Sequence, residues 1–146
     1  MKKPFLGYNF CSAVDGQLIP QRLQNLCIRD FAQSTGRVVA FSVSEYSDAS
    51  QALMLFGQFE HIDKVAGFIF FSILCLPADD VLRRKFYAQA VKAGVEVHFA
   101  LENLSLVGES DVVLTERVFR VSKDTRLEDT RLELIRLRNA GSADRN

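Results

Sequence analysis

Net charge is the first thing this chain of 146 residues lacks: 18 basic side chains stand against 18 acidic ones. Binding to a nucleic-acid backbone is driven by clustered lysine and arginine, so the balance argues against that class of partner. Cysteine is scarce, and Cys11, Cys27 and Cys75 show no CxxC or Cys/His ligand spacing. Neither a disulfide framework nor a zinc site is indicated, and the three read as reduced core residues of a cytoplasmic protein. Histidine is scarcer still, and His61 and His98 alone cannot build a metal site of the usual type. The longest apolar run, Val65 to Leu76, holds Gly67 and Ser72 and is too short to span a bilayer. Two lysines follow Met1, but Gly7, Asn9 and Ser12 break the apolar segment behind them, unlike a signal peptide. A glycine-rich phosphate loop is missing as well, since Gly7 and Gly16 match neither the dinucleotide nor the P-loop spacing, and no motif indicates a cofactor.

What is present has the profile of an ordinary globular domain, with 48% hydrophobic and 25% charged residues. Phe5 to Phe10 reads as a strand, Asp15-Gly16 as a turn, and Pro20 as the first turn of a helix. From Gln21 to Ser34 the apolar Leu23, Leu26, Cys27, Ile28 and Phe31 recur at helical spacing, and Gly36 follows as a stop. Arg37 to Val43 is a second strand. Ser44 to Asp48 then supplies candidate caps for a helix over about 49–61. Val65 to Leu76 has the continuous apolarity of a strand covered on both faces, and a helix after Pro77 ends before Gly94. Val95 to Leu101 is a fourth strand. A helix over about 110–120 follows, then a polar break around 122–125 and a thin-striped helix carrying Leu127, Leu134, Ile135 and Leu137. The alternation predicts one α/β domain over 1–121, with a four-stranded, mostly parallel sheet and helices on both faces. A helical extension over 122–146 completes it, its last residues, 141–146, disordered.

In an open parallel sheet, ligands bind in the crevice at the carboxyl ends of the strands. Ser12, Glu45 with Tyr46, Ser72 and Glu102 all fall at such ends. Ser12 is a candidate nucleophile with no histidine near it in sequence; the plainer role is to satisfy backbone groups in a turn. Glu45 and Glu102 are candidates for a general acid and base, or for holding sugar hydroxyls by charge-assisted bonds, against capping or pairing with arginine. Tyr46 suits stacking on a sugar ring. Ser72 interrupts an apolar strand, so its hydroxyl needs a partner or a pocket. Gln21, Asn25 and Arg29 lie four apart on one helix face, where Arg29 suits a phosphate or carboxylate. His98, between Val97 and Phe99, reads as a hydrogen-bonded core histidine.

The segments Gly7-Tyr8…Ser12, Ile19-Pro20-Gln21…Gln24-Asn25…Ile28-Arg29-Asp30, Ser44-Glu45-Tyr46, Phe71-Ser72-Ile73-Leu74…Leu76-Pro77 and His98-Phe99-Ala100-Leu101-Glu102 occur in one order over residues 5 to 104. In them the chain resembles the sporadic carbohydrate cluster protein family. The resemblance implies a place in bacterial surface-polysaccharide biosynthesis more than a particular reaction. A more distant likeness is to the catalytic domain of serine recombinases, through Gly7-Tyr8, Ser12 and Gln21. Phe10 stands where those enzymes need an arginine two residues before the serine, and Ser72 to Leu76 carries none of the further arginines. Phosphate in the transition state would go unneutralised, so the likeness implies a resolvase-like fold without strand exchange. The reading is therefore a cytoplasmic protein that binds or modifies a sugar or nucleotide sugar at the strand-end crevice. A second reading is a non-catalytic module that dimerises, or docks on a glycosyltransferase, through its C-terminal helix.

Overall fold

A computed structural model describes residues 2–46 and 49–143, without the side chains at 125–131, 133, 134, 142 and 143. The elements run β1 (Phe5–Phe10), α1 (Gln21–Ser34), β2 (Val39–Glu45), α2 (Leu53–Gly57), a 3-10 segment Gln58–Lys64, β3 (Gly67–Phe70) and a 3-10 turn Ile73–Cys75. They continue through α3 (Asp80–Ala93), β4 (Glu96–Phe99), β5 (Leu104–Leu106), a 3-10 turn Glu109–Asp111 and α4 (Val112–Ala143). The sheet order is β2-β1-β3-β4-β5. All neighbours are parallel except β4 and β5. The crossover from β1 leads outward to β2, and the next returns past β1 to β3. The topological switch point, where such sheets take their ligands, therefore lies between β1 and β3.

Strand alternation and register sort the sheet into two faces. Leu6, Phe68 and Val97 share one row and Tyr8, Phe70 and Phe99 the next. Against these rows pack Phe86 of α3, 5.9 Å from the Phe68 ring and 5.6 Å from Phe70, and Phe59 of the 3-10 segment, 5.8 Å from Phe68. The opposite face carries Gly7, Ile69 and His98 and is covered by α1. Glycine is needed at position 7 for that approach, since a Cβ there would lie 2.4 Å from Ser42 Oγ and 3.3 Å from Ile28 Cγ2. At Gly67 the demand is stricter: φ is +154° and a Cβ would overlap the Glu96 carbonyl at 1.9 Å.

The fifth strand corrects the four-stranded expectation. It is only three residues long and reverses on β4 through Asn103, which takes φ +53°. The long apolar run does not stay extended either. It leaves the sheet after Phe70, and Ser72 caps the 3-10 turn that follows by accepting from the Leu74 amide. The helix expected over 49–61 is reduced to α2 and the 3-10 segment. Its candidate caps Ser47 and Asp48 lie outside the described residues. Around residues 122–125 no break occurs: these polar residues include neither glycine nor proline, so an exposed helix continues through them and through the expected boundary at 121/122. Of the segment expected to be disordered, 141–143 is helical and 144–146 lies outside the described residues. At 1.5 Å per residue α4 is about 48 Å long.

Its first turns are fastened to the domain by Arg83 of α3, which is 1% exposed. The guanidinium donates to both carboxylate oxygens of Glu116 at 2.7 Å, to Asp80 at 2.6 Å, and to the carbonyls of Pro77 and Ala78. Phe119 lies across its face at 4.2 Å. The paired Arg83 guanidinium holds the Glu116 carboxyl down at about 2. Among the described residues no helix is long and apolar enough to cross a membrane.

Candidate functional site

At the carboxyl end of β1 and β2, on the α1 face, four uncharged polar side chains meet. Asn9, fully buried, donates to Asn25 Oδ1 at 2.7 Å and accepts from Ser44 Oγ at 2.5 Å and from Gln21 Nε2 at 3.4 Å. Gln21 also donates to Ser44 Oγ at 2.8 Å. Two of the expected residues, Gln21 and Asn25, are thus brought together. Asn9 and Ser44 were missed; the signal was their position, two polar residues at paired strand ends in register. Gln21 is exposed and Asn25 half-buried, and the Gln21 carbonyl and the Asn25 amide N–H2 make no hydrogen bond to the described residues. Tyr46 follows at the end of β2 with 65% exposure. Ser12 is half-buried two residues past β1, in a loop closed by the tight turn at Asp15-Gly16, where Val14 and Gln17 exchange backbone hydrogen bonds.

Gln24 holds that loop in place. It is buried, its carbonyl accepts from the Phe10 amide at 3.0 Å, and its amide donates to the carbonyls of Phe10 at 2.9 Å and Ile19 at 2.8 Å. This latch fixes the rotation of α1 and corrects its expected core face. The buried residues are Gln24, Ile28, Phe31 and Ala32, while Leu23 and Leu26 are half exposed. Arg29 is exposed and two turns from Gln21, about 12 Å along the helix axis towards the amino edge of the sheet, so it does not join the cluster.

The two glutamates serve different elements. Glu45 turns to the opposite face, is 2% exposed, and accepts from the Tyr8 hydroxyl at 2.9 Å and from the amides of Leu55 at 2.8 Å and Met54 at 3.2 Å, at the start of α2. Burial, with the Glu45 charge second, pushes the Tyr8 phenol up, so it stays a donor. Glu102 accepts from Ser72 Oγ at 3.1 Å and from the Ile73 amide, at the start of the 3-10 turn after β3.

His98 lies under the rings of Phe5 and Phe31 at 5.4 and 5.6 Å. Its Nε2 is 2.7 Å from Glu96 and its Nδ1 is 2.6 Å from Ser105 Oγ. A carboxylate only accepts, so Nε2 carries the proton and Ser105 donates to Nδ1. Burial pulls the His98 pKa down, against the Glu96 hydrogen bond. The order serine, histidine, carboxylate matches a nucleophile relay, but none of the four described cavities is lined by Ser105.

Among the described residues no group of three or more His, Cys, Asp or Glu could hold a metal ion. All three thiols are free. Cys11 and Cys27 are half-buried rather than in the core, and burial pushes the Cys75 thiol up. The largest described cavity, about 480 Å³, opens at the other edge of the sheet, among Phe5, Arg37 and Glu96. Compared with known protein families and with curated proteins, the chain matches none.

Proposed function

We propose that the protein recognises a sugar or activated sugar at the carboxyl edge of β1 and β2, in the cytoplasm, within bacterial surface-carbohydrate biosynthesis. The observation that carries the recognition is the pair of Gln21 carbonyl and Asn25 amide, unbonded to the described residues and held by Asn9 and Ser44, with the exposed Tyr46 two residues past Ser44. A sugar hydroxyl is both donor and acceptor, so one acceptor and one donor, preset and uncharged, match two neighbouring hydroxyls. Tyr46 offers its ring to a sugar face. The pathway is carried by the resemblance of the segments from Gly7 to Glu102. In this reading Glu45, Ser72 and Glu102 build the loops around the site, and Ser12 stands at the β1 side of the switch point. A thermal-shift screen of free hexoses and nucleotide sugars tests it. A ligand at a hundredfold excess over its dissociation constant stabilises by about 2.7 kcal/mol. That shift disappears in Gln21→Ala and Asn25→Ala; an equal shift in wild type and variants refutes the site.

A second reading, a partner-docking module on a degenerate resolvase-like fold, draws on α4. Val121, Leu132, Ile135 and Leu137 expose 52–63% of their surface along this helix, apolar area for a partner to cover. The doubly wound order, an antiparallel last strand and the terminal helix support the architecture. Under this reading the 16.4 kDa chain sediments at twice its mass and Leu132→Glu/Ile135→Glu returns it to the monomer; a monomeric wild type with no partner refutes it.

A further inference from the structure

The amino edge of the sheet carries a cavity that the reading above does not use. It is lined by Lys2, Lys3 and Arg37, by Glu96 as the one carboxylate, and by the apolar surfaces of Phe5, Val38 and Ala66. Three cations against one carboxylate leave a surplus of two positive charges. The end of α1, at Thr35 and Gly36, also borders it and contributes the negative pole of a helix, worth about half a charge, which the surplus outweighs.

Arg37 is positioned there rather than merely exposed. Its guanidinium lies 5.7 Å from the Phe5 ring centroid and 6.0 Å from Phe31, which restricts its swing. Its one described ionic partner is Glu96, at 3.8 Å, beyond hydrogen-bond distance, and Glu96 is already bonded to His98 at 2.7 Å. The fork of guanidinium donors therefore makes no hydrogen bond to the described residues, and Arg37 lines the cavity together with Lys2 and Lys3. A planar fork of this kind pairs bidentately with phosphate oxygens. The volume of about 480 Å³ is that of a small-molecule site, and its apolar wall has no role for a bare inorganic ion.

We infer that this cavity binds a phosphate monoester with a small apolar or aromatic body, its phosphate on Arg37, Lys2 and Lys3 and its body against Phe5, Val38 and Ala66. A phosphate monoester carries about 1.5 to 2 negative charges at neutral pH, which balances the surplus. The site lies at the opposite edge from Gln21 and Asn25 and stands independently of them.

The test is an amide chemical-shift titration of the full chain with phenyl phosphate, inorganic phosphate and benzyl alcohol. Phenyl phosphate is expected to move Lys3, Phe5, Gly36, Arg37 and Val38 and to bind at least tenfold more tightly than inorganic phosphate, with benzyl alcohol inert. Arg37→Met, which keeps the stem and removes the charge, weakens phenyl phosphate at least tenfold, and the exposed double change Lys2→Gln/Lys3→Gln weakens it severalfold without touching the Phe5 and Phe31 contacts. No shift at these residues with millimolar phenyl phosphate, or unchanged affinity in the lysine variant, overturns the proposal.

Discussion

Replacing Gln24 by alanine strips the Phe10 amide and the carbonyls of Phe10 and Ile19 of their partner in a site that water does not reach. An unsatisfied buried polar group costs about 1–3 kcal/mol, so the variant loses roughly 2–4 kcal/mol of unfolding free energy in urea. Gln24→Glu keeps the acceptor but loses both donated bonds and buries a charge, so it falls at least as far. At Gly67 the obstacle is backbone, and Gly67→Ala leaves no side chain to move aside: little folded protein is expected by circular dichroism. His98 gives a pH signature. Its pKa is depressed in the folded chain, so the unfolded chain binds the extra proton, and the stability it contributes is fully present above about 6.5 and lost as pH falls below that value. Urea unfolding at pH 7.5 and 5.5 shows that slope in the wild type and a shallower one in His98→Gln. At this scale the sequence pointed to polar residues at strand ends, yet not to which were already committed. The backbone amides that Glu45 and Glu102 accept from open α2 and the 3-10 turn after β3, elements whose placement depends on the tertiary fold. Gln24, a polar residue on the buried side of a helix, runs against the apolar pattern by which such faces are found.

Among the described residues, α4 is tied to the rest of the domain by one ion pair, Arg83–Glu116, beside the buried Thr115 and Phe119. Arg83→Ala removes the two bonds to Glu116, the one to Asp80 and the stacking on Phe119, and leaves Glu116 and the Tyr87 hydroxyl facing a gap. Removing one member of a buried pair costs about 3 kcal/mol or more. Because the Glu116 pKa is lowered to about 2, that contact is fully present above the ordinary carboxylate range and lost as pH falls from about 4.5 towards 2. Far-ultraviolet dichroism across that window is expected to report loss of helix signal, with the transition absent from Glu116→Gln, which starts in the weakened state. Strong periodicity and explicit stops made α1 and the end of α3 legible, Gly94 closing α3 in the left-handed conformation. β5 was hidden by its length, and α4 by a polar stretch that breaks an apolar stripe without breaking a helix.

For the molecule as a whole, the order β2-β1-β3-β4-β5 gathers the polar strand ends along one edge, but alternation divides them between two faces. Ser44 and Asn9 join α1, whereas Glu45 crosses to α2, so residues adjacent in sequence end in different environments. The class of fold followed from alternating strand and helix signals; the division by face followed only from the register, which sequence spacing alone does not determine. The central claim is recognition of a sugar at Gln21 and Asn25. Its most direct test follows the side-chain amide resonances of these two residues while a free hexose, then the corresponding nucleotide sugar, is added to the wild type and to Tyr46→Ala. Both ligands are expected to move the Gln21 and Asn25 amides, Tyr46→Ala to weaken the effect severalfold, and the hexose to leave Arg37 and its neighbours unmoved. Unperturbed Gln21 and Asn25 amides at millimolar ligand, in a protein that remains folded, would contradict it.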